Sequence, residues 1–287
     1  MTNKSFKGWQ RILILIIPFF IVVGIFQYVG GLVVGIDITD LESAEAQRTS
    51  WQLLIISLFD LTGTLLLLWF FMKNIDREPF VDMGFSTRNR LKEFVAGILI
   101  GLVIMGGLGS ILMLLNEVSV VNINLDWSEL LATTLLFTSV AIVEETLMRG
   151  YILKNLMLSM NKYVALMLSS VLFSLMHGAN PNVSGFSLFD LFLAGVVLGL
   201  PYLYTRNLWF PIALHLSWNL FQSLFGFNVS GQDTYSIIEL QYSENNLTNG
   251  GAFGLEGSYL SIIAEILTII LIVVYYQRQS AQNLSKS

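Results

Sequence analysis

Apolar residues in this chain gather into long stretches separated by short polar connections. The stretches lie near 12–34, 51–72, 94–115, 128–158, 163–178, 187–205, 208–226 and 258–276. A helix needs about 20 apolar residues to cross a hydrocarbon core ~30 Å thick, so the pattern predicts an all-α, polytopic membrane bundle of about eight transmembrane helices. With no internal repeat, Pro-rich linker or polar domain, residues 1–287 read as a single integral membrane domain. Lys4, Lys7 and Arg11 precede the first stretch, and Ala44-Glu45-Ala46 offers a small-x-small cleavage pattern. The stretch is longer than the roughly 7–15 apolar residues of a signal peptide, which predicts a retained anchor. Residues 74–92 mix charge with Pro79, Phe80 and Phe85 and read as a cytoplasmic loop or interfacial segment.

Composition agrees with the pattern: of 287 residues, 54% are hydrophobic and only 12% charged. Charge adds an orientation. Of the 15 Lys and Arg residues, 13 fall in alternate connections, the exceptions being Arg48 and Arg149. Short cytoplasmic loops collect such residues, so both termini are predicted cytoplasmic in a multi-pass protein of the plasma membrane. The opposite connections are acidic or uncharged: Asp37 to Glu45, Glu117 to Asp126, and the Asn/Gly/Ser-rich 227–257, which has no Lys or Arg. The apolar spans make membrane lipid the surrounding partner, and the net charge of −5, carried largely by those outer connections, suggests no nucleic-acid partner. Cysteine is absent, which excludes disulfides and thiolate catalysis.

Ionisable groups inside spanning segments are costly and mark bundle interiors or wet cavities. Here they are Asp60, Glu144, Glu145, Arg149, His177, Asp190, His215 and Glu265, and the two histidines are the only ones in the chain. A single His in an apolar run is usually a packed structural residue, but both of two in such runs point to a shared task. In SVAIVEETLMRGYIL, Glu145 and Arg149 stand four apart and share a helix face, so each makes the other's burial tolerable. Glu144 lies about 100° round the helix and is left without that partner. His215 and Asn219 repeat the four-residue spacing, as do Phe173 and His177. If the fourth and fifth helices turn near residues 159–162, Glu144 and His177 both sit ~23 Å from the turn and can meet. His215, about 8 residues past the turn at Arg206, comes out shallower unless that turn is recessed. For Asp60, Asp190 and Glu265 the expectation is interhelical hydrogen bonding.

A carboxylate, two imidazoles and an amide suit hydrolysis: a base for water, donors for an oxyanion and an acid for the leaving amine. No Gly-x-Ser-x-Gly elbow is present. Zinc is an open option, with Glu144, His177 and His215 as its three ligands, although the His-Glu-x-x-His arrangement of ordinary zinc proteases is missing.

Glu144-Glu145-x-x-x-Arg149, Phe173-x-x-x-His177 and His215-x-x-x-Asn219, in that order on successive helices, resemble the motif set of the CAAX-processing and bacteriocin-processing (CPBP, or Abi) family of intramembrane proteases. Their motif-bearing core is about 128–226 here. The resemblance implies an endopeptidase in which Glu144 and His177 activate water, His215 and Asn219 stabilise the oxyanion, and Glu145, Arg149 and Phe173 hold the site together. It leaves metal use open. The substrate would be a peptide or protein, prenylated or secreted, and bacteriocin immunity is another task of such proteins. Two other functions use the same ingredients: a non-catalytic immunity or scaffold protein acting through 227–257, and a proton-coupled transporter.

Overall fold

The structure, a computed structural model, describes residues 6–36 and 48–284. Asp37 to Glu45, the Ala44–Ala46 pattern, Lys4 and Lys286 lie outside the described residues. Among the described residues eight helices follow one another: α1 Gly8–Val33, α2 Ser50–Phe71, α3 Leu91–Leu114, α4 Trp127–Glu145, α5 Lys162–Met176, α6 Gly185–Thr205, α7 Trp209–Leu224 and α8 Tyr259–Leu284. The α4 helix runs on through a π-helical stretch, Thr146–Leu153, and a last α-helical turn, Lys154–Met157. Together these make one 31-residue span.

Six of these helices are long and apolar enough to cross a membrane. The exceptions are α5 and α7, of 15 and 16 residues. At about 1.5 Å per residue they reach only ~23 Å, short of a full hydrocarbon core. Of the two only α7 is an interior helix, with twelve of its 16 residues buried; α5 buries one face and leaves Val164, Leu168 and Leu175 exposed on the other. Around them α1, α3 and α8 keep apolar faces such as Ile17, Val103 and Leu271 exposed, the surface expected of helices in contact with lipid.

The strongest helix contact is α3 against α7, and small residues make it possible. A Cβ on Gly97 would stand 2.8 Å from the Ala213 Cβ and 2.9 Å from the Leu214 backbone nitrogen. Ser217 Oγ also donates to the Gly97 carbonyl at 3.0 Å. Close backbone approach at small residues is how helices associate in lipid. Gly97→Val should therefore lower the thermal unfolding temperature of the purified protein, by the equivalent of about 1–3 kcal/mol of overpacking. Gly107→Ala, on the same helix with nothing within 4 Å of the added Cβ, should leave that temperature unchanged or slightly raised.

Two connections carry structure beyond the sequence expectation. Within residues 74–92, a largely exposed segment, a short 3₁₀ turn, Phe80–Met83, packs Met83 against the bundle. Leu208 N donates to the Gly84 carbonyl at 3.0 Å, Asn207 Nδ2 to Ser86 O at 2.7 Å, and Tyr202 OH to Met83 O at 3.0 Å. Gly84 takes φ +123°, and a Cβ there would press on Leu208 Cγ at 3.0 Å. The turn before α7 is thus recessed and sealed, with Asn207 2% and Leu208 0% exposed. On the opposite side, β1 Val118–Ile123 pairs antiparallel with β2 Ile238–Tyr242, with a bulge between Val120 and Asn122. The 227–257 connection therefore carries structure that an all-helical reading lacks. Phe227, Val229, Phe253 and Leu255 bury it against the helices.

Candidate functional site

The recess of the 206–208 turn raises α7, so His215 lies level with the end of α4 rather than shallower. Glu144 Oε2 stands 3.8 Å from His177 Nε2 and 3.9 Å from His215 Nε2. Those three side chains, with Phe173 and Asn219, line one cavity of about 360 Å³.

Behind the wall sits the support. Arg149 Nη1 donates to Glu145 Oε1 at 2.7 Å, and Arg149 Nη2 to the Gly195 carbonyl of α6 at 3.1 Å. The pairing survives the π-helical turn that intervenes. Glu145 Oε1 also meets His215 Nδ1 at 2.9 Å, a link between α4 and α7 that helical spacing alone does not reveal. The Arg149 guanidinium lies 4.5 Å from the centre of the Phe173 ring. That ring in turn sits 4.8 Å from the His177 ring and 6.1 Å from the His215 ring. The α6 backbone can come this close because Gly195 has no side chain: a Cβ would meet Ser170 Cα of α5 at 2.8 Å.

Exposure separates the two glutamates. The Glu145 side chain is fully buried at 0%, whereas Glu144 keeps 21% and His177 13%. Glu145 and Arg149 neutralise one another out of reach of the cavity; Glu144 faces into it, with its buried Oε2 free of any hydrogen-bond partner.

Tautomers follow from the partners. A carbonyl oxygen can only accept, so His177 Nδ1, 2.8 Å from Phe173 O, carries a proton. In the neutral ring Nε2 then presents its lone pair toward Glu144. His215 Nδ1 likewise donates to the Glu145 carboxylate. No group of three or more His, Asp or Glu side chains among the described residues is arranged to hold a metal ion. Glu144, His177 and His215 share a cavity without forming such a group.

Of the remaining buried acids, Asp60 accepts from Gln27 Nε2 of α1 at 3.0 Å and from Thr64 Oγ1 at 3.1 Å, and it also lines the cavity. Asp190 Oδ1 accepts from Ser261 Oγ of α8 at 3.0 Å. Glu265 of α8 lines the cavity and makes the expected interhelical hydrogen bond, to the Asp190 carboxyl of α6. Sequence reasoning missed Glu256, which the outer connection folds into the cavity wall, where it accepts from Ser230 N at 2.6 Å and Ser230 Oγ at 2.8 Å. Burial raises the Glu256 carboxyl above the ordinary glutamate range, against the pull of the Ser230 bonds and the nearby imidazoles. Only the acidic character of a loop without Lys or Arg hinted at it.

No curated protein and no solved structure matches the chain. Residues 126–221, the third of the chain that holds Glu144, Glu145, Arg149, Phe173, His177, His215 and Asn219, match the family model described as type II CAAX prenyl endopeptidase Rce1-like, which bears out the resemblance to the CAAX-processing and bacteriocin-processing proteases.

Proposed function

We propose that the protein is an intramembrane endopeptidase of the plasma membrane that hydrolyses a peptide bond with water activated by Glu144 and His177. The observation that carries this reading is the convergence of one unpaired carboxylate and two imidazole nitrogens, 3.8 and 3.9 Å away, on a single cavity. The match of residues 126–221 to an endopeptidase family supports it.

Each side chain then has a role. Glu144 Oε2 and His177 Nε2 are both acceptors separated by a gap that one water can bridge, donating a hydrogen to each and leaving a lone pair for attack on the carbonyl carbon. As the water oxygen bonds to the carbonyl carbon, Glu144 takes one of its protons, and that proton passes by way of the neighbouring His177 Nε2 to the nitrogen that departs as the C–N bond breaks. His215, held between Glu145 and Glu144 as imidazolium, donates from Nε2 to the carbonyl oxygen as it gains charge, and the Asn219 amide donates beside it. Arg149 and Phe173 fix the Glu145–His215 pair and touch no substrate. Ser230, Gln232, Thr234 and Glu256 line the cavity, so under the charge-derived orientation the site opens toward the outside. A secreted peptide or a protein segment near the outer leaflet is the substrate that such an opening favours.

Hydrolysis of a quenched, membrane-anchored peptide by the purified protein tests the metal-free form of this reading. A strong chelator should leave the rate within about twofold of its starting value. Activity lost on chelation and restored by zinc would overturn the metal-free form and mean that Glu144, His177 and His215 hold a metal that would supply the activation of water.

A further inference from the structure

The end of α2 away from the cavity carries chemistry of another kind. There the helix runs on through a π-helical turn, Met72–Asp76. The span Ser50–Asp76 has 27 residues, about 40 Å at ~1.5 Å each, so it outreaches a hydrocarbon core of ~30 Å and ends among the lipid headgroups. Its last turns and the residues after them form an open recess of about 320 Å³, lined by Trp69, Lys73, Arg77, Glu78, Pro79 and Phe80. The acids here are already matched. Glu78 accepts from Lys154 Nζ at 2.6 Å, and Asp76 accepts from Arg11 Nη1 and Tyr151 OH. Among the described residues no carboxylate lies within ion-pair distance of Lys73 or Arg77. Lys73 Nζ stands instead 4.8 Å from the centre of the Trp69 ring. The recess thus holds two exposed cations without a counter-ion, at headgroup level, beside the exposed rings of Trp69 and Phe70.

We propose that this recess binds the phosphate of an anionic lipid headgroup. The Arg77 guanidinium offers a planar fork to two phosphate oxygens, and Lys73 adds a point charge from its seat on Trp69. Trp69 and Phe70 suit the boundary between headgroup and acyl chain, where aromatic rings collect. Under the charge-derived orientation the recess lies in the cytoplasmic leaflet, whose surface is anionic. Basic side chains elsewhere on this end do not offer the same chemistry: Arg90 is paired with Glu93, and Arg11 is buried against Asp76. A soluble phosphate could meet the two charges but would leave the apolar rings beside them unused, so the lipid is the ligand that matches the whole recess. Pro79 and Phe80 of its wall lead into the Phe80–Met83 turn, whose neighbour Gly84 caps the recessed turn before α7. A headgroup held here therefore braces the segment that sets the level of His215.

The test is a calorimetric titration of the full-length protein in a neutral detergent with dioctanoyl phosphatidylglycerol and, separately, dioctanoyl phosphatidylcholine. The wild-type protein should bind the anionic lipid about tenfold more tightly than the zwitterionic one, since each basic side chain at a headgroup contributes about 1 kcal/mol. The variant Lys73→Gln/Arg77→Asn should reduce that ratio to about twofold or less; Asn is chosen at 77 because Arg77 sits at φ +57°, a conformation that Asn tolerates. Removing the same charge from the same connection by Arg88→Gln/Lys92→Gln, at two exposed positions outside the recess, should leave the ratio near tenfold. Equal affinities in the wild type, or a ratio lost equally in both double variants, overturns the proposal, the second result by assigning the preference to overall surface charge. A third arm adds inorganic phosphate at millimolar concentration, with sodium chloride of equal ionic strength as its control. An unchanged affinity for the anionic lipid upholds the lipid as ligand, and its displacement by phosphate beyond the salt control overturns that assignment in favour of a soluble anion.

Discussion

Arg149→Met should cost the protein most of its stability together with its site. Arg149 is 1% exposed and Glu145 0%, so removing the guanidinium leaves a carboxylate buried with only the His215 ring to balance it. Breaking such a pair from one side costs about 3–5 kcal/mol, a large fraction of the roughly 5–15 kcal/mol that holds a folded domain together. The contact with Phe173 and the bond to the Gly195 carbonyl go with it, which frees the ring that sits against both imidazoles. Thermal unfolding of the purified variant should show a transition well below that of the wild type, and cleavage should vanish even below that transition. The double variant Glu145→Gln/Arg149→Met, which buries no net charge, should recover part of the lost stability while remaining inactive. Arg149→Lys should recover less than a charge-only account expects, because an ammonium lacks the fork that reaches Glu145 and Gly195 at once. A single variant as stable as the wild type would mean that the ion pair does not hold α4, α6 and α7 together.

The parts of this molecule that could be read from sequence are those governed by local rules. Runs such as 94–115 announce a helix because the length needed to cross hydrocarbon is fixed, and Glu145–Arg149 announces a pair because residues four apart share a helix face. What could not be read depends on contacts between distant segments. That Glu145 Oε1 also holds His215 Nδ1 links residues 70 positions apart. The level of His215 depends on the turn at 206–208 being capped by Gly84, in a segment whose mixed charge suggested surface. The strands at 118–123 and 238–242 are too short for periodicity to declare them, and each exists only by pairing with the other. Glu256 reaches the cavity through that same outer connection, with no helical spacing to mark it. Glu265 was legible as a buried acid, but its partner, Asp190 on another helix, was not.

Everything proposed for the chemistry turns on Glu144. Its carboxylate sits opposite two imidazole nitrogens, faces the cavity and has no hydrogen bond to satisfy Oε2. Glutamine keeps the shape and removes the ability to accept a proton, so Glu144→Gln should bind peptide and unfold at the wild-type temperature or slightly above. Loss of a positioned base contributes about 10²–10⁴-fold, even though the glutamine oxygen can still accept a hydrogen bond from the water. The direct measurement is the single-turnover rate of one peptide on wild-type and Glu144→Gln protein, with peptide affinity determined on both. A rate at least about 10³-fold lower at unchanged affinity is the result that the account predicts; turnover within tenfold of wild type would show that the carboxylate at 144 is not the base.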